Sequence, residues 1–557
     1  METSIKILPL GGLGEVGKNM MVIESPDDIV IVDCGVMFPK PEMLGVDLVI
    51  PDIAYLQQRK EKVKAFLITH GHEDHLGALP LILPKINVPV FAPPIAYDLA
   101  KVKLEEFGIL AKSQINEIQP GEIFELGSFS IEFFRVCHSI PDACGIAIKT
   151  PIGLVVHTGD FKVDHTPIDG NRFNLMRIAE MGNQGVLLLM SDSTYAEVPG
   201  YTPSEQVVSQ ALKHVISDAP GRVIIATFAS LISRVQQIID AAIADGRTVS
   251  VAGRSMTNNV KMAFQKGYLK APQGTMTEIS LLGKIPESEQ VIIVTGAQGE
   301  PTSVLNRIAY GRHKDISLLP NDTIVLSAST IPGNETVVAR TIDQLVKKVS
   351  RVITPHQAQV HVKGHGSQEE LKLILNLTQP EYFVPIHGEY RMLAAHADLA
   401  ISMGVSKEKV FILEDGDLLE ISKDKAKIID TVPADHVFVD GLDWLEFDNA
   451  VLGERRKLSR NGFVLVAIPF NSQKGEFFGE PKITTAGLVD QDKLEDLQNN
   501  TSNYLSSELK RNSGMFVEKM EAIRLIKKLV SSFIYEHTGR RPMVIPVPVE
   551  VDQNEAN

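Results

Sequence analysis

A chain of 557 residues with 55 Lys and Arg against 69 Asp and Glu carries a formal charge of −14, and its 44% hydrophobic and 22% charged residues exclude wholesale disorder. No apolar run approaches the ~20 residues of a membrane span, and the opening METSIKILPLGG lacks the basic start of a secretory signal. The three cysteines, Cys34, Cys137 and Cys144, cannot make a disulfide framework, so a reducing, cytoplasmic setting is expected. Taken alone, the acidity argues against a nucleic-acid partner, because phosphate binding usually leaves a basic footprint.

Three or four structural units are expected at roughly 100–200 residues each. Up to residue 160 the runs SIKILPL, NMMVIE, DIVIVDCG, VKAFLITHGH, VPVFAPP, FSIEFFRVCHS, CGIAIKT and GLVVHTGD predict strands that end in Gly, Asp or His. Gly12-Leu13-Gly14-Glu15-Val16-Gly17 matches half of the dinucleotide fingerprint. The other half needs a crossover helix, and KNMMVIESPDD leaves no room for one before IVIVDCG begins. A tight β-turn with its glycines near a site is the better reading.

After residue 200, RVIIATFA, TVSVAG, QVIIVTG and DTIVLSAS alternate with SEQVVSQALKHVISD and SRVQQIIDAAIADG, whose 3.6-residue apolar period predicts helices. This alternation predicts an inserted βαβ domain. EELKLILNLTQPEYFVPIHGEYRMLAAHADLAISMG then reads as helix, strand and helix. The stretch 431–456, rich in Asp and Gly and holding the only tryptophan, Trp444, reads as a linker. NGFVLVAIPF, two long amphipathic stretches and PMVIPVPVEV predict a small C-terminal α/β domain. The expected division is 1–200 and 372–430 for one domain, 201–371 for its insert, 431–456 for the linker and 457–557 for the last domain.

The decisive segment is Thr69-His70-Gly71-His72-Glu73-Asp74-His75, at the end of the strand VKAFLI. Its imidazoles and carboxylate are ligands suited to zinc or manganese. A single histidine is more often a surface or satisfied core residue, but ligands packed this tightly are not. The turn after the strand lets Asp74 and His75 face a second ion. Further ligands are expected from other strand ends: His138, Asp160 and His387. His157, within a strand, and His165, in a loop, read as structural or as supports for the ligands.

HGHEDH, Asp33 at the end of IVIVDCG, CHSIPD, HTGDFK and PIHGEYR resemble the motif series of the metallo-β-lactamase superfamily. SDSTYAE, ATFAS, VTGAQGEP, IPGNE and HVKGHGSQEEL resemble its β-CASP branch, which processes nucleic acids, and GHGSQEEL with HGEYRML narrows the resemblance to the bacterial ribonuclease J family. The resemblance implies an α/β chain: a metallo-β-lactamase αββα sandwich, an inserted β-CASP α/β domain and a small C-terminal α/β domain. It implies that His70, His72 and His138 hold one ion, and that Asp74, His75 and His387 hold another. Asp160 would bridge the two, and Asp33 would orient the histidine motif. Asp192 and His365 match the catalytic acid and histidine of the branch. The substrate would meet Ala229, Ser230, Leu231 and Arg234, then His361, Val362, Lys363, Gly364, His365 and Ser367.

The implied activity is a metal-dependent ribonuclease with 5′–3′ exonuclease and endonuclease action in RNA maturation and decay. Two ions, zinc or manganese, would activate water against the phosphodiester. Its partners would be single-stranded RNA with 5′-monophosphate ends, further copies of the chain as a homodimer or homotetramer, and RNA-decay proteins, with no membrane. A structural calcium would fall near Asp47 and Asp440. The chain departs from the family pattern at Leu231, Ser233 and Tyr195, and carries Lys363 where serine is common.

Three alternatives stay open. They are a catalytically weak assembly subunit, against which the complete HGHEDH motif stands; a DNA-processing relative; and a small-molecule metallo-hydrolase, against which the insert stands. The acidity is compatible with RNA because the positive charge would sit in the bound ions.

Overall fold

Short runs rich in Val and Ile, whose branched side chains favour a pleated surface, become strands along most of the chain. The structure, a computed structural model, describes residues 4–550 apart from 41, 301, 331–333, 424, 441–444, 448, 472–475, 478 and 512–518. Contacts divide it into two units, Met1–Phe38 with Leu48–Val437, and Pro39–Asp47 with Phe438–Asn557.

In the first unit an eight-stranded sheet runs Ala426–Thr431, Asp417–Ser422, Ser4–Gly11, Met20–Glu24, Ile29–Val32, Val63–Leu67, Val90–Ala92, Ile115–Glu117. A six-stranded sheet runs Tyr382–Ile386, Val186–Asp192, Gly153–His157, Cys144–Thr150, Phe129–Arg135, Ile123–Leu126. Ile5, Ile23, Val30 and Leu67 of one sheet share a buried core with Ile131, Phe133, Ile146 and Leu188 of the other. Helices cover both outer faces. Leu175–Gln184, Gln368–Thr378 and Tyr390–Ser402 bury Ile178, Ile374 and Ala400 with Val156 and Phe383 of the second sheet, and Pro94–Glu106 packs on the edge of the first. This is the expected αββα sandwich.

The strand directions decide where the chemistry emerges. Ile29–Val32 and Val63–Leu67 are parallel, as are Gly153–His157, Val186–Asp192 and Tyr382–Ile386. Phe129–Arg135 is antiparallel to Cys144–Thr150, which is itself antiparallel to Gly153–His157, so the first and last of these three point the same way. The residues that follow Val32, Leu67, Arg135, His157, Asp192 and Ile386 therefore leave their sheets at carboxyl ends, the usual place for a ligand.

The inserted domain carries a five-stranded parallel sheet in the order Thr248–Ala252, Gln290–Val294, Val223–Ala226, Thr323–Leu326, Arg351–Ile353. Its strands are apolar on both faces, as parallel strands beneath helices must be. Ile224, Ile292 and Ile324 pack with Leu305, Ile308 and Leu345 from the helices Val304–Ala309 and Glu335–Val346.

In the second unit, Phe463–Asn471 pairs antiparallel with Lys482–Ala486 and parallel with Met543–Glu550. Its alternate residues Val464, Val466 and Ile468 pack with Leu505, Leu509, Ile526 and Ile534 of two long helices, Gln491–Arg511 and Lys519–Thr538. The stretch 431–456, expected as a linker, instead holds the strands His436–Asp440 and Leu445–Phe447 and the start of the helix Asn449–Asn461. Its Asp and Gly content hid those strands; Trp444 lies outside the described residues. Asp440 ion-pairs with Arg455. Among the described residues no cluster of three metal-binding groups includes Asp47 or Asp440, so the calcium expectation finds no support.

All three cysteines are buried and free. Among the described residues no helix is long and apolar enough to cross a membrane.

Candidate metal centre

Four strand-end connections bring the ligand atoms together. The strand Val63–Leu67 ends just before His70 and His72, and the short helix Glu73–Leu76 then presents Asp74 and His75. The loop 12–19 lies against this turn: Asn19 donates through Nδ2 to the Asp74 carbonyl at 3.0 Å and lies 3.2 Å from His75 Nε2. Gly12, at φ +95°, permits this, because a Cβ there would sit 2.2 Å from Asn19 Oδ1. No crossover helix follows the glycines; the chain enters the strand Met20–Glu24. Asp33 and His387 adopt φ of +64° and +55°. Such backbone costs non-glycine residues about 1–3 kcal/mol and concentrates at functional sites.

His70, His72, His138 and Asp160 form one group whose ligand atoms lie within 4.8 Å of one another, and Asp74, His75, Asp160 and His387 form a second. His70 Nε2 is 3.0 Å and His138 Nε2 3.2 Å from His72 Nδ1. Asp160 Oδ2 reaches both groups, at 3.7 and 3.8 Å from the Nε2 atoms of His70 and His138, and at 3.2 and 3.5 Å from those of His75 and His387. His387 Nε2 also lies 3.4 Å from Asp74 Oδ2.

The surrounding hydrogen bonds fix the tautomers. The Gly364 carbonyl, which only accepts, takes the Nδ1 proton of His138 at 2.8 Å. Thr69 gives its single hydroxyl proton to Asp33 Oδ2 at 2.9 Å and so accepts from His70 Nδ1 at 3.0 Å. Asp33 also holds His75 Nδ1 at 2.7 Å. Thr194 donates to Asp192 Oδ1 at 2.8 Å and accepts from His387 Nδ1 at 2.8 Å. The Nε2 atoms of neutral His70 and His138 are therefore lone pairs that converge on a third imidazole.

Charge divides the centre in two. Burial holds His70 and His138 well below the usual histidine pKa, and His72 at about 4. At His75 and His387 burial acts the same way, but Asp160 and its neighbouring carboxylates outweigh it, raising His75 and pushing His387 up to about 9. Burial works to raise Asp160, yet His387 and His75 hold it well below the ordinary carboxylate range. Converging lone pairs in one half and carboxylates that draw in positive charge in the other fit a divalent cation in each.

Across Asp160, His365 Nδ1 meets Asp192 Oδ2 at 2.7 Å, with Asp160 Oδ2 3.9 Å away. Burial would raise the Asp192 carboxyl, but His365 keeps it below its ordinary value. Lys363 Nζ sits 3.9 Å over the Tyr195 ring. Beside His138 opens a small pocket, lined in part by Ser139, Lys162, Glu205 and Ser233.

Four family models match along the chain: "Metallo-beta-lactamase superfamily" over 13–202, "Ribonuclease J, beta-CASP domain" over 220–345, "Zn-dependent metallo-hydrolase RNA specificity domain" over 354–413 and "Ribonuclease J C-terminal domain" over 450–551. Ribonuclease J2 of Bacillus subtilis is 40% identical over 551 residues, covering 98% of this chain and 99% of that protein. The chain belongs to the ribonuclease J family. Among its other relatives, Ribonuclease J 1 of Streptococcus pyogenes is 40% identical over 99% of this chain and 98% of its own. Ribonuclease J of Thermus thermophilus is 41% identical over 98% and 95%. A crystal structure of a protein of unknown function from Enterococcus faecalis V583 shares the fold, with a TM-score of 0.53 at 16% identity over 75% of this chain and all 100% of that one.

Two of the residues expected at the substrate are engaged within the protein. Arg234 is only 3% exposed, and its guanidinium is engaged by Gln237, Ser327, the Val360 carbonyl and Glu205. It braces the wall of the inserted domain. Ser367 is buried and caps the helix Gln368–Thr378, its amide taken by Glu370 and its hydroxyl by Thr202. Leu231 and Val362 are buried as well. His361 is held well below its usual pKa by burial and by Arg234. Ala229, Ser230, Lys363, Gly364 and His365 remain partly accessible.

His157 accepts from the Gly159 amide at 3.0 Å, and His165 is exposed. Sequence reasoning missed Asn19, Thr69 and Thr194 as supports. Thr69 and Thr194 each stand within two residues of a quoted motif acid or histidine, which is the signal that would have found them.

Proposed function

We propose that this chain is a metal-dependent ribonuclease that shortens single-stranded RNA from 5′-monophosphate ends and also cuts internally. The observation that carries this reading is Asp160, common to three clusters of ligand atoms, two of them the proposed ion sites and the third formed with Asp192, His365 and His387. Zinc or manganese ions held by His70, His72 and His138 and by Asp74, His75 and His387, with Asp160 common to both, would supply Lewis acidity toward water and phosphate oxygens.

The chain's own groups do the rest. Asp192 accepts the Nδ1 proton of His365, so that a doubly protonated ring keeps a second N–H, on its other nitrogen, to give to the departing 3′-oxygen, and returns to neutral as it does so. Asp33 and Thr69 keep His70 and His75 aimed inward. Lys363 and the accessible backbone at Ala229 and Ser230 meet phosphates, which positions a strand without reading its sequence. In this reading 1–200 with 372–430 form the catalytic domain, 201–371 the clamp, and 457–557 the part through which copies associate as a dimer or tetramer in the cytoplasm.

The test is to give the manganese- or zinc-loaded chain 5′-labelled RNAs ending in monophosphate, triphosphate or hydroxyl and to size the products over time. Labelled mononucleotide released fastest from the monophosphate is expected. Intact RNA throughout would leave an assembly subunit, and equal turnover of single-stranded DNA would move the reading to a DNA-processing enzyme.

A further inference from the structure

Glu370 is fully buried, and among the described residues no cation pairs with it. Its carboxylate instead accepts three backbone N–H groups from three segments: Val163 on Oε1 at 2.7 Å, Thr202 on Oε2 at 2.7 Å and Ser367 on Oε2 at 2.8 Å. A buried carboxylate without a counter-charge persists only when its oxygens are fully hydrogen-bonded. One of the three bonds is the local capping box of the helix Gln368–Thr378. The other two reach partners 207 and 168 residues away, which a helix cap does not require.

The three segments meet at the reacting groups. Val163 lies three residues beyond Asp160, and Ser367 two beyond His365. Thr202 stands where the chain enters the inserted domain, and its hydroxyl donates to the His365 carbonyl at 2.7 Å. Gly366 donates to the Phe161 carbonyl at 2.6 Å, so 365–367 and 161–163 run side by side with Glu370 closing one end. We infer that Glu370 is a positioning residue that sets the distance of His365 from the shared ligand Asp160, and so governs protonation of the leaving oxygen. This role rests on the ribonuclease reading above.

The test uses leaving-group dependence. Glu370→Gln keeps the shape but turns one acceptor into a donor facing an N–H. Misplacing a catalytic group by about 1 Å costs on the order of 100-fold, so kcat on 5′-monophosphorylated RNA should fall roughly 10- to 100-fold with KM within about twofold. Bis(p-nitrophenyl) phosphate, whose leaving group departs without a proton, should be hydrolysed within about threefold of the wild-type rate. Metal content should match wild type. Thr202→Val, which keeps the Glu370 carboxylate, should show a smaller loss in the same direction and stands in if Glu370→Gln does not fold. Equal losses on both substrates, loss of metal, or wild-type kcat on RNA in the folded variants would overturn the inference. Wild-type protein inactive on RNA would instead bring down the ribonuclease reading, and this role with it.

Discussion

The sandwich edge and the wall of the inserted domain face the same centre but handle charge in opposite ways. At the edge, His70, His72 and His138 turn ring nitrogens toward one another, and His75, His387 and Asp74 gather around Asp160, so that ligand atoms from several segments converge on one place. In the wall, Arg234 pairs with Glu205 at 2.7 Å, and Glu205 also meets Lys162 of the sandwich at 3.6 Å, which itself lies 3.9 Å from Asp164. Those charges are already balanced inside the protein. Ligand atoms converging on a common point mark binding, whereas buried cations each set against a carboxylate mark a brace.

The largest effect is expected at His365. A general acid contributes about 10²–10⁴-fold, so His365→Ala should lower kcat on RNA by that order while metal content, measured by elemental analysis, stays at the wild-type value. Metal loss would put His365 among the ligands. Next comes the brace: Arg234→Met leaves Glu205 buried with Lys162 alone, and removing one partner of a buried pair costs roughly 3 kcal/mol. Urea unfolding should show that loss while KM for RNA is unchanged; a raised KM in a fully stable variant would return Arg234 to the substrate.

The third prediction concerns pH. His387 is raised from 6.5 to about 9 by Asp160, after burial has worked in the other direction. A raised histidine stabilises the metal-free fold fully below pH 6.5, and that contribution fades as pH rises through about 9. A cation must displace this proton, so calorimetric affinity should rise by up to about tenfold per pH unit across that window. A flat profile would contradict the proposed ligand role of His387. The smallest effect is expected at Lys363, whose ammonium burial makes less favourable. Lys363→Met should raise KM a few-fold and reduce the salt dependence of binding by about one phosphate contact, with stability unchanged.

These contrasts also mark what the sequence could reveal. Five strand-end runs, DIVIVDCG, VKAFLITHGH, FFRVCHS, VVHTGD and YFVPIHGE, each end in a histidine or acid at a carboxyl end, and the last four contribute residues whose ligand atoms cluster, which is why those positions could be proposed from the sequence. The parallel inserted sheet was legible from its uninterrupted apolar runs. The setting of Arg234 was not, because a phosphate-binding arginine and a buried one have the same local sequence; partners such as Glu205, 29 residues away, and the still more distant Ser327 and Val360 separate them. Glu370 was hidden more deeply. Its partners are backbone amides, which leave no trace in residue identity, and two of them are far along the chain. The strands within 431–456 were masked by their Asp and Gly content.

The central claim is that one carboxylate, Asp160, serves two cations in a single chain. Metal titration of wild type and Asp160→Asn, read as ions bound per chain alongside turnover of 5′-monophosphorylated RNA, tests it directly. Two ions per wild-type chain, with the variant weakened at both sites and its turnover lowered by about a thousandfold or more, is the predicted result. An Asp160→Asn protein that still binds two ions at wild-type affinity and degrades RNA at the wild-type rate would contradict it.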